Sequence, residues 1–284
     1  MIDDTYMDWT EVADRCFVHR FPYLDVSSVV IVGAEAALVV DTLASTKQGE
    51  LLAEQVRALT DRPVRVVVNT HVHFDHLFGN AAFADADRPI VAHESVPLDL
   101  PAHERQVKQL YENETDDTNR DDALATDVLA PTDTFAHTWR TDLGDRPVEL
   151  HHLGRGHTRG DIVVAVPDAG LVCAGDLVEE SGPPSFGADC HPLDWPATLS
   201  GLLELIDRLG PDAVVVPGHG CDVDRAFVAE QLAGITRVAE RIRELARDMT
   251  DPAAALAAGG WPWPPAHLAE AVRRGFAQLA HADR

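Results

Sequence analysis

The segment Thr70-His71-Val72-His73-Phe74-Asp75-His76 limits this chain more than any other feature. Three imidazoles and a carboxylate lie within six residues. Buried only for packing, each would need its own hydrogen-bond partner or carry a desolvation cost. Imidazole and carboxylate together suit Zn²⁺, Fe or Mn²⁺. Four such groups cannot all meet one ion without strain, which points to two ions. The run 64–68 just before the cluster is short and rich in valine, so it reads as a strand. The cluster then emerges at a strand's carboxyl end, where α/β proteins place their sites.

Three further pieces follow predicted strands in the same way. Gly154-Arg-Gly-His157-Thr-Arg-Gly-Asp161 comes after the run 148–150, Ala174-Gly-Asp176 after 171–173, and Pro217-Gly-His219-Gly220 after 213–216. Their glycines let the backbone turn sharply and approach a ligand closely. One such piece is weak; a histidine or aspartate ending four separate strands is a pattern.

The remaining apolar runs, at 29–32, 37–40, 89–92 and 162–166, are bounded by Gly, Pro, Asp or Asn and also read as strands. Gly33 and Asp168–Gly170 mark two hairpins. Helical spacing of apolar residues appears over 47–59, 195–209 and 223–247, with Asp222 or Asp224 as N-cap of the last. A final helix is predicted near 267–279. Strands grouped in this order, with helices between the groups, predict a layered α/β protein with mixed sheets. The stretch 112–133 is acidic and poor in apolar residues, and reads as an exposed insertion or lid tip.

Composition removes several function classes. Asp and Glu number 47 against 23 Lys and Arg, a formal net charge of −24. Such a surface repels phosphate backbones and anionic membranes, so no nucleic-acid or membrane partner is expected. No run reaches the roughly 18 apolar residues of a membrane span. The acidic start, 1–12, carries no basic region followed by an apolar stretch, and Cys16, Cys173, Cys190 and Cys221 form no C-x-x-C pair. Free thiols and a cytoplasmic location are the expectation.

Taken together, the four histidine and aspartate motifs resemble those of the metallo-β-lactamase fold superfamily, which includes glyoxalase II, lactonases, ribonuclease Z and alkyl sulfatases. The resemblance spans roughly residues 25–220. It implies an αββα sandwich of two mixed β-sheets flanked by helices, with metals in a groove along one sheet edge. It further implies one domain over 1–284, carrying an acidic helical or loop insertion near 94–135 and a C-terminal helical extension over 222–284. Two Zn²⁺ ions per chain are implied, with Fe or Mn as alternatives. By the same resemblance His71, His73 and His157 bind the first metal, Asp75, His76 and His219 the second, and Asp176 bridges them. Asp41 matches an early aspartate that supports the site. Two cations about 3.5–4 Å apart acidify a shared water at neutral pH, and the second metal, or Asp75 as its proton-handling ligand, stabilises the leaving group. The expected activity is hydrolysis of an ester, thioester, lactone or amide. An iron-dependent oxidoreductase is the alternative.

Departures from relatives narrow the substrate. Where zinc β-lactamases place a lysine to hold the drug's carboxylate, and glyoxalase II places basic residues for glutathione, this chain has Glu179-Glu180. Quorum-type lactonases carry a tyrosine at Glu179. A neutral or cationic small molecule is therefore expected, and β-lactam hydrolysis is disfavoured. His93 reads as a capping, packing or outer contact. His151 and His152 are adjacent on a strand, so at most one faces inward. His191 reads as a loop residue, and Thr158 with Asp161 as supports for His157. Phe74, Phe78, Phe186 and Trp195 read as apolar wall or core, and no metal role is expected for Cys173 or Cys221.

Overall fold

The computed structural model describes residues 9–114 and 117–282. Most of the acidic start, 1–8, and residues 115–116 of the acidic stretch lie outside the described residues.

Among the described residues, seven strands form the first half of the sheet: β1 (Thr10–Ala13), β2 (Cys16–Phe21), β3 (Val26–Val32), β4 (Ala37–Val40), β5 (Val64–Val68), β6 (Ile90–His93) and β7 (Asp133–Phe135). Five form the second: β8 (Thr138–Asp142), β9 (Pro147–His151), β10 (Val163–Val166), β11 (Leu171–Glu179) and β12 (Val214–His219). In the first half β1 to β4 run antiparallel and β4 to β7 parallel. In the second, β8 to β11 are antiparallel and β11 pairs parallel with β12. Both halves are mixed, as the sequence led us to expect. Among the described residues they join at one register pair, His219 of β12 opposite Val26 of β3.

Two-residue periodicity sorts the strands' side chains into layers. Val29 and Ile31 of β3 meet Val164 and Val166 of β10 in a core between the half-sheets. Val30 faces the other way, onto Leu52 and Val56 of α1 (Thr46–Leu59). Val163 and Ala165 face outward beneath Leu199 and Leu202 of α5 (Trp195–Leu209) and Ile235 and Val238 of α6 (Arg225–Leu245). Helices thus cover both outer faces of two stacked sheets. The short α2 (Phe74–Leu77) follows β5, while α3 (Val96–Asn113) and α4 (Arg120–Ala125) fill the stretch before β7. The chain ends in α7 (Pro252–Ala257) and α8 (Ala269–Ala282). None of the described helices is long and apolar enough to cross a membrane.

Most boundaries fall close to the sequence reading, and Asp224 caps α6 by accepting from the Phe227 amide. One expectation needs correcting. Asp176 and His219 were placed just beyond their strands, yet both lie inside β11 and β12. The apolar signal stops at Ala174, but main-chain pairing continues, with Glu179 opposite His219.

The core between the half-sheets holds the edge that carries these residues. Leu150→Ala, at a fully buried position there, should cost about 2–5 kcal/mol. Arg140→Ala, at an exposed position of neighbouring β8, should stay within about 0.5 kcal/mol. Urea unfolding of the two variants checks this; equal midpoints would contradict the layer assignment.

Candidate metal centre

The turn after β5 delivers His71 and His73, and α2 carries Asp75 and His76. His157 sits between β9 and β10, Asp176 on β11, and His219 ends β12. All seven sequence-nominated residues come together. One donor atom each from His71, His73, His157 and Asp176 lie within 4.8 Å of one another, as do those of Asp75, His76 and His219. Asp176 reaches both groups. Its Oδ2 is 3.3 Å from His157 Nε2, 3.7 Å from His71 Nε2 and 3.3 Å from His219 Nε2, and its Oδ1 is 3.1 Å from His76 Nε2. Gly218 makes this approach possible, because a Cβ there would meet Asp176 Oδ1 at 1.8 Å.

Every one of these imidazoles spends its outer nitrogen on an oxygen. His76 Nδ1 donates to Asp41 (2.8 Å), His157 Nδ1 to the Ser185 carbonyl (2.8 Å) and His219 Nδ1 to the Leu24 carbonyl (2.8 Å). His73 Nε2 donates to Asp189 (3.1 Å). His71 Nδ1 donates to Thr70 Oγ1 (3.0 Å), whose own proton goes to Asp41 (2.8 Å). This pattern fixes the tautomers and turns the remaining lone pairs inward. The inner atoms have too few protons to satisfy one another. His157 Nε2 faces His73 Nδ1 at 2.7 Å, and His71 Nε2 is buried without a hydrogen-bond partner among the described residues. Converging lone pairs from nitrogen and oxygen fit a cation of the Zn²⁺, Fe or Mn²⁺ type. Asp41 adopts φ 61° and Leu43 φ 73°, left-handed backbone that Leu43 holds at some strain.

The electrostatics call for positive charge in the same place. Burial disfavours charged His76 and His219, yet Asp176 and Asp75 outweigh it; His76 is raised well above its usual value and His219 to about 10. Burial alone would raise Asp176, but the histidines around it hold its carboxyl well below the usual range. His71 and His157 go the other way, lowered mainly by burial, His157 to about 4.

Other nominated residues lie outside this cluster. His93 is buried, stacks on His152 and accepts from the Ser95 amide at the start of α3. His151 pairs with Glu149, and His152 donates to the Asp161 carbonyl. The Asp161 carboxylate accepts from the amide and hydroxyl of Thr158, closing the loop that carries His157. Phe186 and Trp195 are core residues. The four cysteines are free thiols and none joins the cluster. Sequence reasoning missed Asp189, in a loop without periodicity, and His103, which stacks on His73 and accepts from the Phe74 amide (3.0 Å). A histidine on a helix interrupted by Pro101 gave no signal.

A cavity of about 630 Å³ opens onto the cluster. Asp75, Asp176 and Glu179 line its floor, Leu24, Phe74, Val107 and Leu110 its apolar wall, and Gln106, Gln109 and Asn113 add amides. None of its described lining residues is Lys or Arg. Glu179 is buried and accepts from the Ser181 hydroxyl; burial, then the charge of Asp176, push its carboxyl up to about 7. Glu180 turns away and accepts from the Cys221 amide.

A family model described as the metallo-beta-lactamase superfamily matches residues 22–219. The chain is 27% identical over 208 residues to the metallo-beta-lactamase type 2 of Bacillus cereus, covering 72% of this chain and 71% of that protein. It is 24% identical over 237 residues to the linear primary-alkylsulfatase of Pseudomonas sp. (strain ATCC 19151), covering 73% of this chain and 44% of that one. A solved metallo-beta-lactamase from Pontibacter korlensis shares the fold, with a TM-score of 0.62 over 81% of this chain and 98% of its own, at 24% identity.

Cation binding requires neutral imidazoles, so protons on His76 and His219 must leave. Adding Zn²⁺ to chelator-treated protein at pH 7 should release about one to two protons. Apparent affinity should climb as pH rises toward about 10, the folded value of His219. Calorimetry in buffers of different ionisation enthalpy reads this directly; a heat independent of buffer would contradict it.

Proposed function

The chain belongs to the metallo-β-lactamase superfamily, and from that premise we propose that it is a hydrolase working with two divalent metal ions on an ester, thioester, lactone or amide. The observation that carries the reading is the inward turn of six donors around Asp176, each imidazole braced from outside. His71, His73 and His157 would hold one ion, Asp75, His76 and His219 the other, and Asp176 both. Zinc fits this donor set, and iron or manganese are the alternatives. When bound, such a pair supplies Lewis acidity and a water acidic enough to attack at neutral pH.

The protein's own groups do the rest. Asp75 Oδ2, which is 3.4 Å from His219 Nε2, lines the cavity and is the group that takes a proton from water and returns it to the leaving atom. Asp41 holds His76 directly and His71 through Thr70, so it positions both halves of the centre. We read 94–135 as an insertion whose helix α3 walls the cavity with Val107 and Leu110. Glu179, the three amides and the apolar wall favour a neutral or cationic small molecule. The names of its relatives favour two further readings, a β-lactam or an alkyl sulfate as substrate. Glu179, the lining carboxyl that the two ions would leave unengaged, disfavours both, because each such substrate carries a negative charge.

Purified protein should hold close to two ions per chain, and the His71→Ala/His73→Ala pair should lose the first while slowing turnover of esters and lactones. Metal analysis beside a substrate panel tests this. Two ions retained in that double variant would overturn the assignment, and iron with oxygen consumption would favour the redox alternative.

Substrate charge is tested separately. An ionised carboxylate near a bound anion costs about 1–4 kcal/mol between the dielectric of water and an effective value near 20, or roughly one to three powers of ten in affinity. With its carboxyl raised to about 7, Glu179 exerts this in full only above that pH. Neutral esters should therefore turn over well, and nitrocefin poorly. Glu179→Lys should shift the ratio toward anions. Efficient nitrocefin hydrolysis by the parent, or an unchanged ratio in the variant, would remove the charge argument.

A further inference from the structure

In this strongly acidic chain, three arginines line a cleft beside the loop 187–194. The cleft, about 540 Å³ in volume, is lined by Arg155, His191, Asp194, Arg243, Arg274 and Gln278 among others. Arg155 comes from the loop that carries His157, Arg243 from α6, and Arg274 and Gln278 from α8. Against three guanidinium groups stands one lining carboxylate, Asp194, which pairs with Arg155 at 2.7 Å. Arg243 Nη2 donates to the Leu193 carbonyl and Arg274 Nε to the Cys190 carbonyl, each at 3.0 Å. Carbonyls cancel no charge, and among the described residues neither Arg243 nor Arg274 is paired with a carboxylate that lines this cleft. The Nε bond of Arg274 leaves both its terminal nitrogens free to donate. His191 Nδ1 is also buried there without a hydrogen-bond partner. Burial, followed by the charges of Arg155 and Arg274, holds His191 down at about 4 against the opposing charges of Asp194 and Asp189.

Like charges gathered in a cleft repel, while a guanidinium fork matches the planar oxygens of carboxylate and the oxygens of phosphate. We infer that this cleft is a binding site for a compact oxyanion, the carboxylate or phosphate group of a small molecule. The cleft shares His191 and Arg274 with a neighbouring cavity that reaches His73 and Asp189, so the oxyanion would sit beside the loop that braces the centre. The inference does not depend on which metal, if any, His73 holds.

The test is calorimetric titration of the full chain with inorganic phosphate and, in a second arm, acetate, at low ionic strength to limit screening. Saturable binding of at least one probe is expected, and the stronger of the two identifies the preferred group. Arg155→Gln and Arg274→Gln should each weaken it by about ten-fold or more. Arg225→Gln, at an exposed arginine paired with Asp207, should leave it unchanged. Arg274 also braces the loop, so its variant could fail to fold; Arg155, 52% exposed and paired only with Asp194, keeps the test decisive. Weakening in either folded variant supports the site. No saturation by either probe up to about 10 mM, or an affinity unchanged in every folded variant, overturns it.

Discussion

Three carboxylates withdrawn from water at one sheet edge, Asp41, Asp75 and Asp176, are the constraint that the rest of the architecture meets. Each is at most 7% exposed. Uncompensated burial of ionised carboxylates costs several kcal/mol per group, comparable with the whole stability of a domain. Compensation needs imidazoles from α2, from the β9–β10 connection and from β12, segments far apart in sequence. They can meet only where the carboxyl ends of β4 and β5, parallel neighbours, approach those of β11 and β12, also parallel. The one pair that joins the half-sheets, His219 with Val26, lies at that meeting point. The β2–β3 turn is drawn in as well, since the Leu24 carbonyl accepts from His219.

What could be read from the sequence follows from this arrangement. Valine-rich runs such as 37–40 and 163–166 announce their strands because they are buried on both faces and need no polar alternation. The strands β1 and β8 lie at sheet edges with half or more of their residues exposed, so their composition resembles loop. Helix α3 contains Pro97 and Pro101, which read as breakers. Residues that supply donor atoms were legible because their types cluster at fixed spacing. The atoms that brace them were mostly not. Ser185 and Leu24 act through carbonyls that any residue provides, and Asp189 is one aspartate among many in an acidic chain. Asp41 was legible only through the family resemblance.

The surroundings of the cluster divide by charge. On one side the cavity presents Asp75, Asp176 and Glu179 beneath an aliphatic wall from α3 and the β2–β3 turn. On the other, the loop 187–194 is held from behind by arginines, Arg243 on the Leu193 carbonyl, Arg273 on that of Ala188 and Arg274 on that of Cys190. The stacked rings of His73 and His103 border both regions.

This division bears on how firmly His73 is placed. His73 is part-exposed and its outer nitrogen meets a carboxylate on a loop, while His71 and His76 are buried and tied through Thr70 and Asp41 to the end of β4. A loop anchor is softer than a strand anchor unless something stiffens it. Here the stiffening comes from α6 and α8, whose side chains bind the loop's carbonyls and, through Gln278, the Leu193 amide. The C-terminal helices therefore do more than cover the second half-sheet. They fix the loop on which the orientation of His73 depends, and so carry part of the geometry of a centre to which they contribute no donor atom.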